Sequence, residues 1–147
     1  MSDPQVRYLN LPQIPEYLLG DIDSLSAKHH ASDRVFLTYR WTDAHNTELV
    51  KWCNDNISSG LKWGLQVIDG DLSLHIDTPT KTKISYIFDT GGDNVITEFY
   101  QDYSSNILID SIKILPNRWH ILNVSKPHLV TGIEPGRVRI SLTGRIF

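Results

Sequence analysis

The sequence predicts a mainly β protein whose strands form a closed or double-layered sheet. Short alternating segments recur from residue 61 onward, and stretches rich in glycine, proline, asparagine and aspartate separate them. With 147 residues and 40% hydrophobic composition, the chain has enough apolar material for one packed core. Seven short strands cannot bury their apolar faces in one flat layer, so we expect a sandwich, a jelly roll or a barrel.

The predicted strands follow one another closely, at 61–68, 72–77, 83–88, 95–101, 107–114, 119–124 and 137–143. The turn-rich segment DTGGDN at 89–94 has no lysine and no strand-to-helix context, so it is interpreted as a hairpin turn and not as a phosphate loop. We predict a single domain over 1–147, in which 61–147 form the β core and 1–60 support it.

The supporting region is expected to contain a strand and a helix packed outside the sheets. Residues 35–41 alternate like a half-buried strand. The following segment changes to helical spacing, with one apolar stripe formed by Leu49, Trp52, Cys53 and Ile57. Asn46 or Thr47 is the predicted N-cap and Gly60 the predicted terminator, and at most one short helical turn is expected after Pro15.

Composition and charge argue against several classes of function. The net charge is −3, from 14 basic and 17 acidic residues without a basic stripe, so we expect no nucleic-acid binding. One cysteine, Cys53, cannot form an internal disulfide, and the first residues lack the pattern of a signal peptide, which predicts a cytoplasmic protein. No apolar run is long enough to span a membrane, so no membrane association is expected.

The segment LHIDTP at 74–79 carries a histidine and an aspartate on one strand face. His75 and Asp77 are two positions apart, and alternate residues of a strand project to the same side. An isolated His-x-Asp is more often an exposed ion pair than a metal site. His128, 51 residues after Asp77, adds a second imidazole. Two imidazoles and a carboxylate are the donor set of non-haem Fe(II) centres and suit structural zinc less well.

A basic strand follows this histidine. In RVRISLT at 137–143, one face carries Arg137, Arg139, Ser141 and Thr143, and the other face is apolar. The polar face either meets solvent or faces the mouth of a barrel. In the second case, a guanidinium beside a hydroxyl matches the geometry of a carboxylate, so a dicarboxylate cosubstrate fits there.

With these residues in this order, the chain resembles the Fe(II)/2-oxoglutarate-dependent dioxygenases, most of all their compact aspartyl/asparaginyl hydroxylase-like and prolyl hydroxylase-like branches. The resemblance covers residues 60–147. It implies a double-stranded β-helix of jelly-roll or cupin-like type, with one or two N-terminal helices packed outside. It also implies that Fe(II) is bound by His75, Asp77 and His128. Arg139, with Ser141 beside it, would hold the distal carboxylate of 2-oxoglutarate, and Arg137 is the rival.

The implied activity is hydroxylation of a C–H bond in an unidentified substrate, such as an amino-acid or peptidyl side chain. O2 and 2-oxoglutarate are consumed, and succinate and CO2 are released. Two positions depart from the family pattern. Ser85 stands where relatives often carry asparagine, and Leu129 stands where many carry glycine and is expected to narrow the approach to the metal.

Two other functions stay open at this point. One is a cupin-like metalloprotein that does not use 2-oxoglutarate, and the other is a non-catalytic β-sandwich binding module. The remaining histidines are interpreted as structural or solvated: His120 as a packed residue of its strand, and His29, His30 and His45 as loop residues. Cys53 is predicted to be a core residue.

Overall fold

The computed structural model describes residues 4–18, 39–43, 48–77, 81–104 and 106–146. Within these ranges the chain forms a 3-10 turn at Glu16–Leu18, an α-helix (α1) at Glu48–Asn56, and ten strands. The strands are β1 (Val6–Tyr8), β2 (Tyr39–Asp43), β3 (Lys62–Ile68), β4 (Leu72–His75), β5 (Thr82–Asp89), β6 (Ile96–Tyr100), β7 (Leu108–Ile112), β8 (Trp119–Asn123), β9 (His128–Thr131) and β10 (Arg139–Ile146).

The strands form two antiparallel sheets. The six-stranded sheet has the order β1-β8-β5-β10-β3-β2, and the four-stranded sheet has the order β4-β9-β6-β7. From β3 to β10 the chain passes back and forth between the sheets, and only β6 and β7 are consecutive partners within one sheet. This is the predicted jelly-roll arrangement of a double-stranded β-helix, with β1 and β2 added at the edges of the larger sheet.

The main hydrophobic core lies on the outer face of the six-stranded sheet. Trp63, Trp119 and Leu142 are almost completely buried there. They pack in one cluster with Leu49 and Cys53 of α1. These two helix residues are four positions apart, so they lie on one side of α1, as the helical spacing predicts. The helix therefore covers the outside of the six-stranded sheet, and the inner face of that sheet lies toward the four-stranded sheet.

The N-terminal elements are only partly within the described residues. The candidate caps Asn46 and Thr47 lie outside them, as do residues 35–38 of the first predicted strand. The helix ends before Gly60, which has a φ of +85° in the turn that leads to β3. Gly60 is thus a turn residue and not the helix terminator.

All seven strands predicted from residue 61 onward are present, with ends shifted by up to three residues. β9 is an eighth that was not predicted. Two further predictions are wrong. The segment 89–94 is not a hairpin, because it connects β5 of one sheet to β6 of the other. The last strand begins at Arg139 and not at Arg137. Across the described ranges, no helix is long and apolar enough to span a membrane.

Candidate metal centre and ligand pocket

Two neighbouring strands of the smaller sheet bring His75 and His128 side by side. His75 of β4 lies opposite His128 of β9, which in turn lies opposite Phe99 of β6. The two imidazole centroids are 4.3 Å apart, and the Phe99 ring lies 5.7 Å from the His128 ring. Residues opposite one another on paired strands project to the same face, so these rings line the pocket between the sheets together.

Asp77 completes the cluster from the segment that follows β4. Its backbone N–H donates a 3.1 Å hydrogen bond to the carbonyl of Val124. Its Oδ1 lies 3.3 Å from Nε2 of His75 and 3.8 Å from Nε2 of His128. The three ligand atoms all lie within 4.8 Å of one another. An ion bound about 2.1 Å from each donor fits among atoms this close.

Backbone carbonyls orient both imidazoles. Nδ1 of His75 is 2.7 Å from the carbonyl oxygen of Ser73, and Nδ1 of His128 is 2.8 Å from that of Lys126. A carbonyl oxygen only accepts, so each neutral ring carries its hydrogen on Nδ1 and keeps a free lone pair on Nε2. Metal-binding histidines are typically oriented in this way. The residues therefore fit a divalent metal ion.

The protonation states of the three residues suit metal binding. Burial alone would raise the pKa of Asp77, but the hydrogen bond with His75 and the charge of Lys83 outweigh it, and the pKa lies below its usual range. Burial lowers the pKa of His128 to about 4, so this imidazole is neutral at physiological pH. Burial also opposes protonation of His75, but the hydrogen bond with Asp77 outweighs it and raises the pKa. A metal ion therefore competes with protons mainly at His75.

Lys83 is a charged residue of the site that was not predicted from the sequence. It is 4% exposed, and its ammonium group contacts Oδ2 of Asp77. Lys83, Ser85 and Ile87 share the inner face of β5 and line the pocket. Burial lowers the pKa of Lys83, and the charge of Asp77 opposes this effect. The only sequence signal for Lys83 was its position on the same strand face as Ser85.

Arg139 and Ser141 line the same pocket from β10. Arg139 is 7% exposed, and no residue in the described ranges forms an ion pair or hydrogen bond with its guanidinium. Burial lowers its pKa to about 10, so it stays charged at neutral pH. The hydroxyl of Ser141 donates to Oε1 of Gln66 over 3.3 Å. A buried charge without a partner is costly, which marks this part of the pocket as a candidate anion site.

Arg137 lies outside the pocket, contrary to the expectation that it shares a strand face with Arg139. Because β10 begins only at Arg139, the alternation of side chains does not extend back to Arg137. The Arg137 side chain is 43% exposed and forms ion pairs with Asp89 at 3.1 Å and Glu134 at 2.7 Å. Its charge is already compensated at the surface.

The larger sheet contributes further polar groups to the inner face. Ser85 forms a 3.1 Å hydrogen bond with Thr143, and His120 lies opposite Ser85 across β5 and β8. Burial lowers the pKa of His120 to about 4, and the charge of Arg139 acts in the same direction. His120 is therefore neutral, and it is buried, as expected for a packed strand residue, but it also lines the pocket. On the smaller sheet, the buried hydroxyl of Thr97 has no hydrogen-bond partner in the described part of the chain.

Leu129 does not narrow the approach to the metal site, contrary to the sequence interpretation. Successive strand residues point to opposite faces, so Leu129 projects away from the pocket while His128 and Val130 line it. Cys53 is buried, and burial raises the pKa of its thiol to about 12, which makes it an unreactive core residue. His29, His30 and His45 lie outside the described residues.

Comparison with known proteins supports the fold. No protein-family model matches the chain, and no curated protein matches it significantly. A prolyl hydroxylase from Trichoplax adhaerens, solved with a peptide fragment of the hypoxia inducible factor oxygen degradation domain, aligns with 96% of this chain and 83% of its own. Its TM-score is 0.54 at 13% identity. A Pseudomonas putida prolyl-4-hydroxylase has the same TM-score and identity, and it aligns with 96% of this chain and 91% of its own.

A cupin superfamily protein from Desulfitobacterium hafniense also aligns, with 15% identity over 96% of this chain and 99% of its own, but its TM-score is only 0.45. At these identities the likeness to the two hydroxylases establishes the fold and not the activity. The chain therefore has the jelly-roll fold of the prolyl hydroxylases, and it carries a His-Asp-His cluster that could hold a metal ion, with both imidazoles lining the pocket.

Proposed function

We propose that the protein is an Fe(II)- and 2-oxoglutarate-dependent oxygenase that hydroxylates a C–H bond of its substrate. The observation that carries the proposal is the convergence of Nε2 of His75, Oδ1 of Asp77 and Nε2 of His128 at the edge of a pocket that both imidazoles line. Two imidazoles and one carboxylate occupy one face of an octahedral Fe(II) ion and leave the opposite face to ligands. The shared fold with two prolyl hydroxylases supports this proposal.

The same pocket offers a site for the distal carboxylate of 2-oxoglutarate. Arg139 is buried, charged and without a partner among the described residues, whereas Arg137 is already paired at the surface. A guanidinium binds a carboxylate through two parallel hydrogen bonds, which would satisfy the buried charge. Ser141 adds a hydroxyl on the same strand face, and Thr97 adds an unpartnered hydroxyl from the other sheet.

When bound, iron would supply the redox chemistry that couples O2 and 2-oxoglutarate to hydroxylation, with succinate and CO2 as coproducts. The residues of the chain would bind and orient the reactants. The carbonyls of Ser73 and Lys126 hold both imidazoles with Nε2 free. Apolar side chains that line the pocket, including Leu72, Phe99 and Val130, limit the access of water.

The test is anaerobic addition of Fe(II) and 2-oxoglutarate, followed by a succinate assay in air across a panel of amino acids, peptides and nucleosides. We expect a weak visible charge-transfer band on addition of 2-oxoglutarate, and succinate release that increases with the correct substrate. The variants H75A and D77A should keep the fold and lose both signals. Iron binding without the band would favour a cupin-like metalloprotein, and a wild-type protein that binds no iron would refute the proposal.

A further inference from the structure

Lys83 is placed where its charge acts on both the metal ligand Asp77 and the pocket. It projects from the inner face of β5, and its side chain is 5% exposed. Its ammonium group contacts Oδ2 of Asp77, while Oδ1 of the same carboxylate faces the two imidazoles. Since lysine is almost never fully buried without a partner, this contact explains how Lys83 is tolerated. Lys83 therefore occupies one oxygen of Asp77, and the other oxygen is the one that faces the two imidazoles.

The contact with Asp77 does not use all the hydrogen-bond donors of Lys83. An ammonium group has three hydrogen-bond donors. Asp77 is its one ion-pair partner in the described part of the chain, and Lys83 lines the pocket beside His75 and His128. The remaining donors are thus available to a ligand bound next to the metal ion.

A second buried cation, Arg139, lies at the other end of the β5–β10 strand pair. Lys83 pairs with Arg145 near the end of β10, and Arg139 begins β10 six residues before Arg145. Both Lys83 and Arg139 line the pocket. The positive charge of a divalent metal ion and these two cations together exceeds the negative charge of the Asp77 carboxylate. Because uncompensated charge is unfavourable inside a protein, the loaded pocket requires an anionic ligand.

We propose that Lys83 is a positioning residue with two roles, an inference that rests on the proposed function. It holds Oδ2 of Asp77 away from the metal, so that the carboxylate binds through Oδ1 alone and leaves coordination positions open. It also donates to the ligand carboxylate next to the metal, so that a dicarboxylate is bracketed between Lys83 and Arg139.

The test compares Lys83→Met, which removes the charge and keeps a long apolar side chain, with Lys83→Arg, which keeps the charge. Mn(II) is titrated first, and 2-oxoglutarate is then titrated into the Mn(II)-loaded protein. We expect Lys83→Met to bind Mn(II) about tenfold more tightly, because a nearby positive charge is lost, and to bind 2-oxoglutarate about tenfold more weakly. Lys83→Arg should stay within about threefold of the wild type for both.

Two ligands then show which carboxylate Lys83 contacts. 2-Oxopentanoate keeps the carboxylate beside the keto group and lacks the distal one, and 4-oxopentanoate keeps only the distal one. Lys83→Met should weaken binding of 2-oxopentanoate and leave binding of 4-oxopentanoate unchanged. Arg139→Met should give the opposite pattern.

Opposite changes in metal and ligand affinity would not result from a merely structural role. If Lys83→Met weakens Mn(II) and both ligands together, or changes none of them, the inference is overturned. The same holds if 4-oxopentanoate binding falls as much as 2-oxopentanoate binding. These outcomes differ from failure of the proposed function, in which the wild-type protein itself would bind neither Mn(II) nor 2-oxoglutarate.

Discussion

Replacing Arg139 by methionine is expected to stabilise the ligand-free protein while removing its affinity for 2-oxoglutarate. Arg139 is 7% exposed and its guanidinium has no ion-pair or hydrogen-bond partner in the described ranges, so the folded protein carries the cost of its desolvation. Methionine fills much of the same space without charge. The two effects have opposite signs because the feature that binds the ligand is the feature that costs stability.

The size of the effect follows from the pKa of Arg139, which burial lowers from its usual value to about 10. At about 1.4 kcal/mol per pKa unit, the charged form costs about 3 kcal/mol in the folded pocket. At neutral pH the side chain is charged in both the folded and the unfolded chain, so the whole cost opposes folding. Lost packing offsets part of the gain, and we expect the free energy of unfolding to rise by about 1 to 3 kcal/mol.

The assay is urea denaturation of the free protein, and then of the Mn(II)-loaded protein with and without 2-oxoglutarate. A ligand at 100 times its dissociation constant should stabilise the wild type by about 3 kcal/mol and Arg139→Met by almost nothing. Arg137→Met is the matched control. It removes an exposed ion-paired arginine, so it should change stability by about 1 kcal/mol or less and keep the ligand effect. The reasoning is refuted if Arg139→Met destabilises the free protein and is still stabilised by 2-oxoglutarate.

Two further predictions concern stability. Gly132→Ala should lower the free energy of unfolding, measured by urea denaturation, by more than about 2 kcal/mol, because a Cβ there would lie 2.3 Å from the carbonyl oxygen of Asn94. Gly136 has a similar positive φ and open space around it, so Gly136→Ala should cost only about 1 kcal/mol. Equal costs for the two variants would contradict this prediction. Because of His120, the free energy of unfolding should decrease as the pH is lowered. Its pKa is lowered from 6.5 to about 4 in the folded protein, so on acidification the unfolded chain binds a proton before the folded one does. Its contribution is complete above pH 6.5 and should decrease by about 2 kcal/mol between pH 8 and pH 5; an unchanged pH dependence in His120→Asn would contradict it.

The sequence predicted most of the strands because alternating segments are separated by clear turn signals. β9, at His128–Thr131, was missed because Pro127 and Gly132, both unfavourable within strands, flank it directly. Its pairing with β4 and β6 is long-range and leaves no local pattern. The position of His128 opposite His75 is a result of that pairing. The spacing of the three histidine and aspartate residues suggested a cluster, but only the register brings their atoms together.

The polar face of β10 shows a different limit. Alternation separated Arg139, Ser141 and Thr143 from the apolar residues, but it did not say which face is inside. In this fold both faces of the larger sheet are buried, because α1 covers the apolar face and the polar face lines the pocket. Lys83 on β5 was not predicted for the same reason, because it lies on a polar strand face that is buried in the pocket. Arg137 was assigned to the strand because alternation alone does not show where a strand begins.

The central claim is that His75, Asp77 and His128 hold one metal ion, and titration with Mn(II) tests it most directly. His120 provides the control, because it is also a buried histidine that lines the pocket but lies outside the cluster. We expect one Mn(II) per chain in the wild type and in His120→Asn, and at least a hundredfold weaker binding, at about 3 kcal/mol, in His128→Asn. Equal binding by His128→Asn and the wild type would contradict the claim.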